Sequence, residues 1–230
     1  MLDNITILYY MSSIERIMKK FLVPFSGIPI FKIENAFQIN KKEYTFLKNL
    51  KFDNLTTNNK ILNDKLKISK NKNILKLNKF QRIKKLIWNN FEDYVDNVLE
   101  IENVFSFCQS WCTIQKSNSY HSAHAHPNNI FSCVYYAKAK ETYLQFSTYK
   151  SKLQESFFFS YNIRKPNLFN STRYTFPLQT GDIIFFPGDL CHESLLNKDE
   201  ERIIIGASFF LDGKLGSDET NNAIDITNNK

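Results

Sequence analysis

The 230-residue sequence has no long hydrophobic run, because no apolar stretch approaches the roughly 20 residues that a membrane-spanning helix requires. No association with a membrane is therefore expected. A clear export signal is also missing, since the apolar stretch at residues 5–11 is short and follows Asp3. We expect the chain to work in a reducing compartment, the cytoplasm, or the host cytoplasm if the chain is viral.

Cysteine is scarce, and the four cysteines lack the spacing of a metal site. Cys108, Cys112, Cys133 and Cys191 form no close CxxC pair, which zinc motifs require. Three of the four lie inside apolar runs that are typical of strands. The sequence therefore predicts buried, reduced thiols rather than a zinc finger.

Acidic residues are nearly missing from one segment, residues 60–85, which holds ten Lys or Arg and only Asp64 as an acid. Such a basic stretch can bind nucleic acid or another acidic surface. Base-stacking aromatics are sparse there, since Phe80 stands alone. A solvated basic face is the preferred interpretation, and nucleic-acid binding through residues 60–85 is the alternative.

Two helices are predicted in the first half of the chain. Residues 78–101 carry apolar side chains at helical spacing, and Asn78 with Gln81 has the pattern of a capping box. A shorter helix is predicted at residues 41–50. Residues 51–78 are polar and rich in Asn and Lys, so they are predicted to form mainly a loop with at most one strand or helical turn.

From residue 105 onward, short apolar runs alternate with turn residues, which is typical of a β-sandwich or barrel. The predicted strands are 105–115, 130–136, 142–148, 156–162, 173–178, 182–186 and 202–211. The fold class is therefore mostly β with a helical annex. We expect one domain at 20–211, helical at about 40–101 and β at about 105–211. A flexible extension at 1–19 and a polar, frayed tail at 212–230 would flank that domain.

Histidine is rare but clustered, and this is the most informative feature of the sequence. His124 and His126 share one face if their segment is extended, so both imidazoles can bind one metal ion. His192, which follows a buried strand and a tight turn, is the candidate third ligand. His121 has the opposite parity and is expected to support the site or face the surface. Imidazole ligands suit Fe, Zn, Cu or Ni.

Arg202 opens an apolar strand ten residues after His192 and shares a face with Ser208. If that face lines the barrel, the guanidinium presents a fixed fork of donors that binds a carboxylate. An inward arginine beside a metal site suits an α-keto acid that chelates the metal at one end. The alternative for Arg202 is a surface ion pair with Glu200 or Glu201.

Two blocks of residues surround the histidines and Arg202. The first block is Gln109-Ser110-Trp111, His124-Ala125-His126-Pro127-Asn128-Asn129 and Ser132-Cys133-Val134-Tyr135-Tyr136. The second is Gly181, residues 183–186, Pro187, His192, Glu201-Arg202 and residues 203–205. With these blocks the sequence resembles 2-oxoglutarate/Fe(II) oxygenases of the prolyl-hydroxylase-like superfamily, in the HxH…H…R variant common in marine phages and bacteria. The resemblance spans about residues 20–211 and is specific from about 105 to 210.

This resemblance implies a double-stranded β-helix (jelly-roll) that holds Fe(II), with 2-oxoglutarate as cosubstrate. His124 and His126 would occupy the positions of the superfamily's His-x-Asp pair, and His192 would be the distal ligand. Arg202 would anchor the far carboxylate of the cosubstrate. Other residues are expected around these two groups: Tyr135 or Tyr136 and Ser208 at the cosubstrate, and His121, Trp111 and Gln109 around the metal.

The expected reaction is hydroxylation of an unidentified small molecule or peptide, with release of succinate and CO2 and no catalytic residue beyond the metal ligands. Two alternatives remain. A cupin-like metalloenzyme would use the three histidines without 2-oxoglutarate, so Arg202 would be dispensable. A non-catalytic binding module would work through the basic residues 60–85.

Overall fold

A computed structural model describes residues 19–25, 27–57, 60–151, 162–167 and 170–227. Apart from Lys19, the predicted N-terminal extension at 1–19 lies outside these residues. The same is true of the predicted strand at 156–162, apart from Asn162.

Fourteen strands are present in the described part of the chain. In chain order they are β1 (Lys19–Phe25), β2 (Ile28–Glu34), β3 (Phe52–Thr57), β4 (Lys60–Ser69), β5 (Phe105–Lys116), β6 (His121–His124), β7 (Phe131–Lys138), β8 (Thr142–Ser147), β9 (Arg173–Leu178), β10 (Ile183–Pro187), β11 (Cys191–Ser194), β12 (Glu201–Leu211), β13 (Lys214–Leu215) and β14 (Ile224–Asp225).

The strands form two main antiparallel sheets. One has eight strands in the order β1-β2-β10-β7-β12-β5-β4-β3, and the other has four in the order β6-β11-β8-β9. Among the strands from β5 to β12, the chain places β5, β7, β10 and β12 in the larger sheet and the remaining four in the smaller one. Strands make up most of the regular structure, and the helices pack on the larger sheet. The prediction of a mostly β fold with a helical annex is therefore confirmed.

The helical annex consists of α1 (Lys41–Lys48), α2 (Gln81–Asp93) and three short turns. The turns are two 3-10 helices, Ile74–Lys76 and Asn78–Phe80, and a π-helical segment, Tyr94–Leu99. Both predicted helices are therefore confirmed in type and approximate position. Within the described residues, no helix has the length and apolar character needed to cross a membrane.

Aromatic side chains hold α2 against the larger sheet. The ring of Phe91 stacks on Phe209 of β12 with 3.8 Å between centroids. Tyr94 lies parallel to Phe31 and Phe185 and donates a hydrogen bond to the carbonyl of Pro29 at 2.9 Å. This packing of large rings stabilises the layer on which β7 and β12 are built.

The predicted capping box at Asn78 and Gln81 is wrong. A 3-10 turn occupies residues 78–80, so α2 begins only at Gln81, and its N-cap residue, Phe80, has no side-chain hydrogen bond to the helix. A capping box does form in α1, where Asn40 and Glu43 exchange hydrogen bonds of 3.0 and 2.8 Å with each other's backbone amides.

The prediction of a loop at residues 51–78 is also wrong. Strands β3 and β4 form a hairpin there, and β4 continues the larger sheet by pairing Leu66, Lys67 and Ile68 with β5. Leu66 is buried while Lys67 is exposed, so the burial of side chains along β4 follows the two-residue period of a strand. Lysine and asparagine on the solvent side obscure it in the sequence. The basic segment at 60–85 therefore runs through β4, the connecting turns and the start of α2.

The tail at 212–230 is polar as predicted, but it is not simply frayed. Strands β13 and β14 pair through Lys214↔Asp225 and Leu215↔Ile224, with a short 3-10 helix between them. The prediction of buried, reduced thiols is confirmed for Cys112 and Cys133, whereas Cys108 and Cys191 are only half-buried; all four are free cysteines.

A cluster of three lysines surrounds one carboxylate at the start of β12. Glu201 is 6% exposed and lies 2.5 Å from Lys48, 2.8 Å from Lys116 and 3.4 Å from Lys138. Burial raises the pKa of Glu201, but hydrogen bonds from Lys116 and Lys48 outweigh burial and bring it down to about 2. The charged carboxylate therefore ties α1, β5, β7 and β12 together.

We expect Glu201→Gln to lower the free energy of unfolding at pH 7 by about 2 kcal/mol. Because the pKa is lower in the folded than in the unfolded chain, this contribution is complete above an ordinary pKa of 4.5 and is lost as pH falls toward 2. Urea unfolding between pH 7 and pH 2 measures it. Glu200→Gln, at the exposed neighbouring residue, is the control, and a variant difference that does not shrink below pH 4.5 contradicts the prediction.

Candidate metal centre

One cavity of about 250 Å³ lies between the two sheets and contains all four histidines together with Arg202. The larger sheet supplies the wall formed by β5, β7 and β12, and the smaller sheet supplies β6, β8 and β11. The side chains predicted to bind a metal and a carboxylate are therefore brought together in one place.

His124, His126 and His192 converge inside this cavity. His124 ends β6, His126 follows in the next loop, and His192 lies in β11 directly opposite His124 in the strand register. One nitrogen of each ring lies within 4.8 Å of the other two, and ring centroids are 4.4 to 5.1 Å apart. Three imidazoles at this separation can hold one transition-metal ion.

Backbone carbonyls orient two of these rings. The Nδ1 atom of His124 is 2.8 Å from the carbonyl oxygen of Ser122, and Nδ1 of His192 is 2.9 Å from that of Leu190. Because a carbonyl oxygen only accepts hydrogen bonds, each Nδ1 carries the proton and donates. The lone pair on each Nε2 is then available to a metal.

Burial keeps all four imidazoles uncharged near neutral pH. Desolvation lowers the pKa of His126 to about 4 and that of His121 to about 3, and repulsion from neighbouring imidazolium charges acts in the same direction. Burial likewise lowers the pKa of His124 and, more strongly, that of His192, which is 3% exposed. Neutral imidazole is the form that binds metal ions.

His121 does not point away from the site as its parity predicted. Its ring stacks on His124 with 4.0 Å between centroids. In the pairing of β6 with β11, His121 lies opposite Ser194 and His124 opposite His192. Three residues along β6 therefore span the same distance as two residues along β11. This β-bulge reverses the alternation and turns His121 toward the cavity. His121 lies beside the three converging ligands, consistent with the supporting role that was predicted for it.

Arg202 is 3% exposed and projects into the cavity, so the alternative of a surface ion pair is wrong. Its neighbour Glu201 takes the lysine partners on the other face of β12. The guanidinium donates instead to the hydroxyl of Thr142 and to Oε1 of Gln115. Both acceptors are neutral, and burial lowers the pKa of Arg202, with the charge of Asp199 opposing this. No ion pair of Arg202 occurs among the described residues.

Gln115 provides a second donor next to Arg202. Its Nε2 atom is buried and has no hydrogen-bond partner in the described part of the chain, while its Oε1 accepts from Arg202. A buried amide donor without an acceptor costs about 1–3 kcal/mol. An anion bound at Arg202 would supply that acceptor.

The structure distinguishes the two candidate tyrosines. Tyr136 lines the cavity, whereas Tyr135 faces the helical side of the sheet. The Tyr135 ring stacks on Phe37, and its hydroxyl donates to the Phe37 carbonyl at 3.1 Å. The prediction that Tyr135 contacts the cosubstrate is therefore wrong, and Tyr136 remains the candidate.

Ser208, which was predicted to lie at the cosubstrate together with Arg202, is in a different place. It shares a strand face with Arg202 but lies beyond Trp111, in a separate cavity with His126 and Asn128. A Cβ atom at Gly206 would come within 2.5 Å of the Trp111 ring, so this ring crosses β12 between Arg202 and Ser208. Ser208 is thereby separated from the guanidinium.

Trp111 and Gln109 line the main cavity as expected. The Trp111 ring lies 5.2 Å from that of His126. Residues that the sequence analysis missed are Gln115, Thr142 and Lys72. Gln115 could have been found, because it shares the two-residue period of Gln109 and Trp111 along β5. Nothing in the sequence marks Thr142 or Lys72.

A family model described as "Putative 2OG-Fe(II) oxygenase" matches residues 109–209, which include the three histidines and Arg202. No curated protein matches the sequence.

Solved structures with a similar fold have low sequence identity. An oxidoreductase of the 2OG-Fe(II) oxygenase family from Burkholderia pseudomallei is 11% identical, with a TM-score of 0.51 over 77% of this chain and 81% of that one. HygX from Streptomyces hygroscopicus, solved with nickel and 2-oxoglutarate, is 8% identical, with a TM-score of 0.53 over 79% and 82%. SnoN, a non-heme alpha ketoglutarate dependent epimerase from nogalamycin biosynthesis, is 10% identical, with a TM-score of 0.53 over 79% and 78%.

At these identities the structural matches establish the fold alone, and the family assignment depends on the sequence match to residues 109–209. The resemblance inferred from the motifs is thereby confirmed over residues 109–209, which match the model of a 2OG-Fe(II) oxygenase family.

Proposed function

We propose that the protein is an Fe(II)- and 2-oxoglutarate-dependent oxygenase that hydroxylates a still unidentified substrate and releases succinate and CO2. The observation that carries the proposal is one cavity in which three converging histidines face a buried arginine that has no acidic partner in the described residues. The family match over the same residues supports it.

The strand order supports a double-stranded β-helix as the finer description of the fold. Successive strands from β5 to β12 are distributed between two four-stranded layers, β5-β12-β7-β10 and β6-β11-β8-β9. In such a jelly-roll, side chains from both layers point into a shared interior. His124 and His192 come from the smaller sheet, His126 from the loop that follows β6, and Arg202 from the larger sheet.

The donor atoms fit iron and the cosubstrate. Three neutral imidazoles leave the full charge of a divalent metal uncompensated, so a dianionic cosubstrate would bind favourably next to them. Arg202 and the unpaired Nε2 of Gln115 offer donors to the far carboxylate of that cosubstrate. When bound, iron and 2-oxoglutarate supply the oxidation of the substrate by O2.

The chain's own residues orient the cosubstrate and exclude water. Burial raises the pKa of Tyr136, so its hydroxyl stays protonated and can donate a hydrogen bond. The side chains of Trp111, Val134, Leu144 and Ile204 make much of the cavity wall apolar. Such a wall strengthens the attraction between Arg202 and a carboxylate, because the effective dielectric constant is low.

An anaerobic titration tests the proposal. Purified protein receives one equivalent of Fe(II), and 2-oxoglutarate is added while the visible spectrum is recorded. A saturable charge-transfer band is expected. Iron that remains bound without any band contradicts the use of 2-oxoglutarate.

A cupin-like metalloenzyme is the second candidate, because the converging ligands are three histidines with no carboxylate among them. It predicts that the protein binds metal and that 2-oxoglutarate leaves the spectrum unchanged. The titration with 2-oxoglutarate therefore separates the two candidates.

A further inference from the structure

A second cation lines the cavity at the end opposite to Arg202. Lys72 follows strand β4 and is half-buried, and its Nζ donates to the carbonyl of Ser69 at 2.7 Å. The family match begins only at residue 109, so Lys72 lies outside it. The metal and cosubstrate sites described above do not use this lysine.

Strand β5 gives the order of groups along the cavity. Arg202 pairs with Gln115 of β5, whereas the amide of Ser110 donates to the carbonyl of Lys72 at 2.8 Å. Five residues separate these two points, which corresponds to about 17 Å along a strand. Trp111, which lies between them, is 5.2 Å from His126 in ring centroids. A cosubstrate held between Arg202 and the histidines therefore leaves the end at Lys72 available.

The wall beside Lys72 is apolar. Leu55 of β3 and Ile68 of β4 line the cavity, and Ile68 lies opposite Thr113 in the strand register. The hairpin that carries both side chains extends the larger sheet beyond β5. A ligand at this end would thus contact hydrocarbon on one side and an ammonium group on the other.

Lys72 has no acidic partner at salt-bridge distance among the described residues. The nearby carboxylate, Asp53, pairs with Lys70 at 2.9 Å. Burial lowers the pKa of Lys72, with the charge of Asp53 opposing this at longer range. A half-buried ammonium group that donates only to a carbonyl gains most from an added anion.

The surface next to Lys72 is also positively charged. An adjoining cavity meets the first one at Gln109 and is lined by Lys76, Lys84 and Lys85, with Asp212 as its single acid. The electrostatic potential at this end of the site therefore favours anionic ligands.

We propose that the substrate carries an acidic group, a carboxylate or a phosphate, which binds Lys72 while its apolar part packs on Leu55 and Ile68. This inference rests on the proposed function for the location of the reacting centre. It assigns the β3–β4 hairpin, outside the family-matched residues, to the selection of the substrate.

Matched pairs of small ligands test the proposal. Protein loaded with Zn(II) and saturating 2-oxoglutarate is titrated calorimetrically with hexanoate, hexyl phosphate and hexanol. The two acids are expected to bind wild-type protein about tenfold more tightly than hexanol, since a charge-assisted hydrogen bond contributes about that factor. Lys72→Met should remove the preference, and Lys72→Arg should retain much of it.

Lys67→Met is the matched control, because Lys67 is exposed on the neighbouring strand β4 and does not line the cavity. The acids should bind this variant as they bind the wild type. Equal affinity for acids and hexanol in the wild type overturns the proposal. An equal loss in Lys67→Met and Lys72→Met also overturns it, since the effect would then come from the general positive charge of this surface.

Failure of the proposed function gives a different result. If 2-oxoglutarate does not bind, the titration is repeated without it in Arg202→Met protein, which prevents the acids from binding at that cation. A preference for acids that persists there and disappears on adding Lys72→Met supports the anion site independently of the cosubstrate. Loss of the preference in the Arg202→Met protein alone assigns it to Arg202 and overturns the role of Lys72.

Discussion

The His192→Ala variant is expected to bind Fe(II) at least about 100-fold more weakly than the wild type and to show no charge-transfer band with 2-oxoglutarate. His192 is the most buried of the three converging histidines, and the Leu190 carbonyl fixes its orientation. Losing even a group that only orients a metal ligand costs about 10–100-fold in affinity, so losing a ligand should cost more. Competition with a chromophoric chelator measures the affinity.

His121→Ala is the matched control for this experiment. It removes the same side chain from the same cavity, from a ring that stacks on His124 but lies outside the group of three. We expect it to keep one equivalent of iron, with affinity reduced at most about tenfold. Equal loss in both variants would show that the three-histidine assignment is wrong. Circular dichroism of the apo proteins establishes that both variants fold.

Strands of the β core could be predicted closely because they are short apolar runs bounded by turn residues. Strand β9 was predicted at 173–178 and is observed as Arg173–Leu178, and strand β12 differs from its prediction by one residue. Strand β9 shows the two-residue period of a strand with one buried face, whereas β12 is buried on both faces and is apolar along most of its length. The same periodicity placed His124, His126 and Arg202 in one interior.

The two-residue period did not predict the orientation of side chains where the backbone is irregular or where both faces of a strand are covered. A bulge in β6 reversed the orientation of His121, and a bulge is not visible in a sequence of small and polar residues. Tyr135 and Tyr136 are both buried, one under the helices and one in the cavity, so composition could not distinguish them. Ser208 kept the predicted face, but the large ring of Trp111 separates it from Arg202.

Features that depend on distant parts of the chain could not be predicted. Thr142 and Gln115 are 60 and 87 residues from Arg202 in sequence. The pairing of β12 with β5 brings Gln115 to the guanidinium, and the packing of the smaller sheet on the larger one brings Thr142 there. Lys72 reaches the cavity because β4 adds to the edge of β5. In the sequence it is one lysine among many in a basic segment.

Arg202→Met is expected to weaken 2-oxoglutarate binding by about 100-fold or more while one equivalent of iron remains bound. Arg202 can offer a carboxylate two charge-assisted hydrogen bonds, each contributing about 1.5–3 kcal/mol, and methionine offers none. Arg202→Lys should recover only part of the affinity, because an ammonium group lacks the planar fork. The anaerobic spectral titration measures both variants.

Thermal unfolding separates an anchoring role of Arg202 from a structural one. The guanidinium is buried beside neutral acceptors, Thr142 and Gln115, so removing its charge relieves a desolvation cost. The apo Arg202→Met protein should therefore unfold at the same temperature as the wild type or higher.

Adding metal and 2-oxoglutarate should raise the unfolding temperature of the wild type much more than that of the variant, because binding to the folded state stabilises it. Equal stabilisation of both proteins by 2-oxoglutarate would mean that Arg202 is not the anchor. A less stable apo variant would mean that the arginine holds the two sheets together.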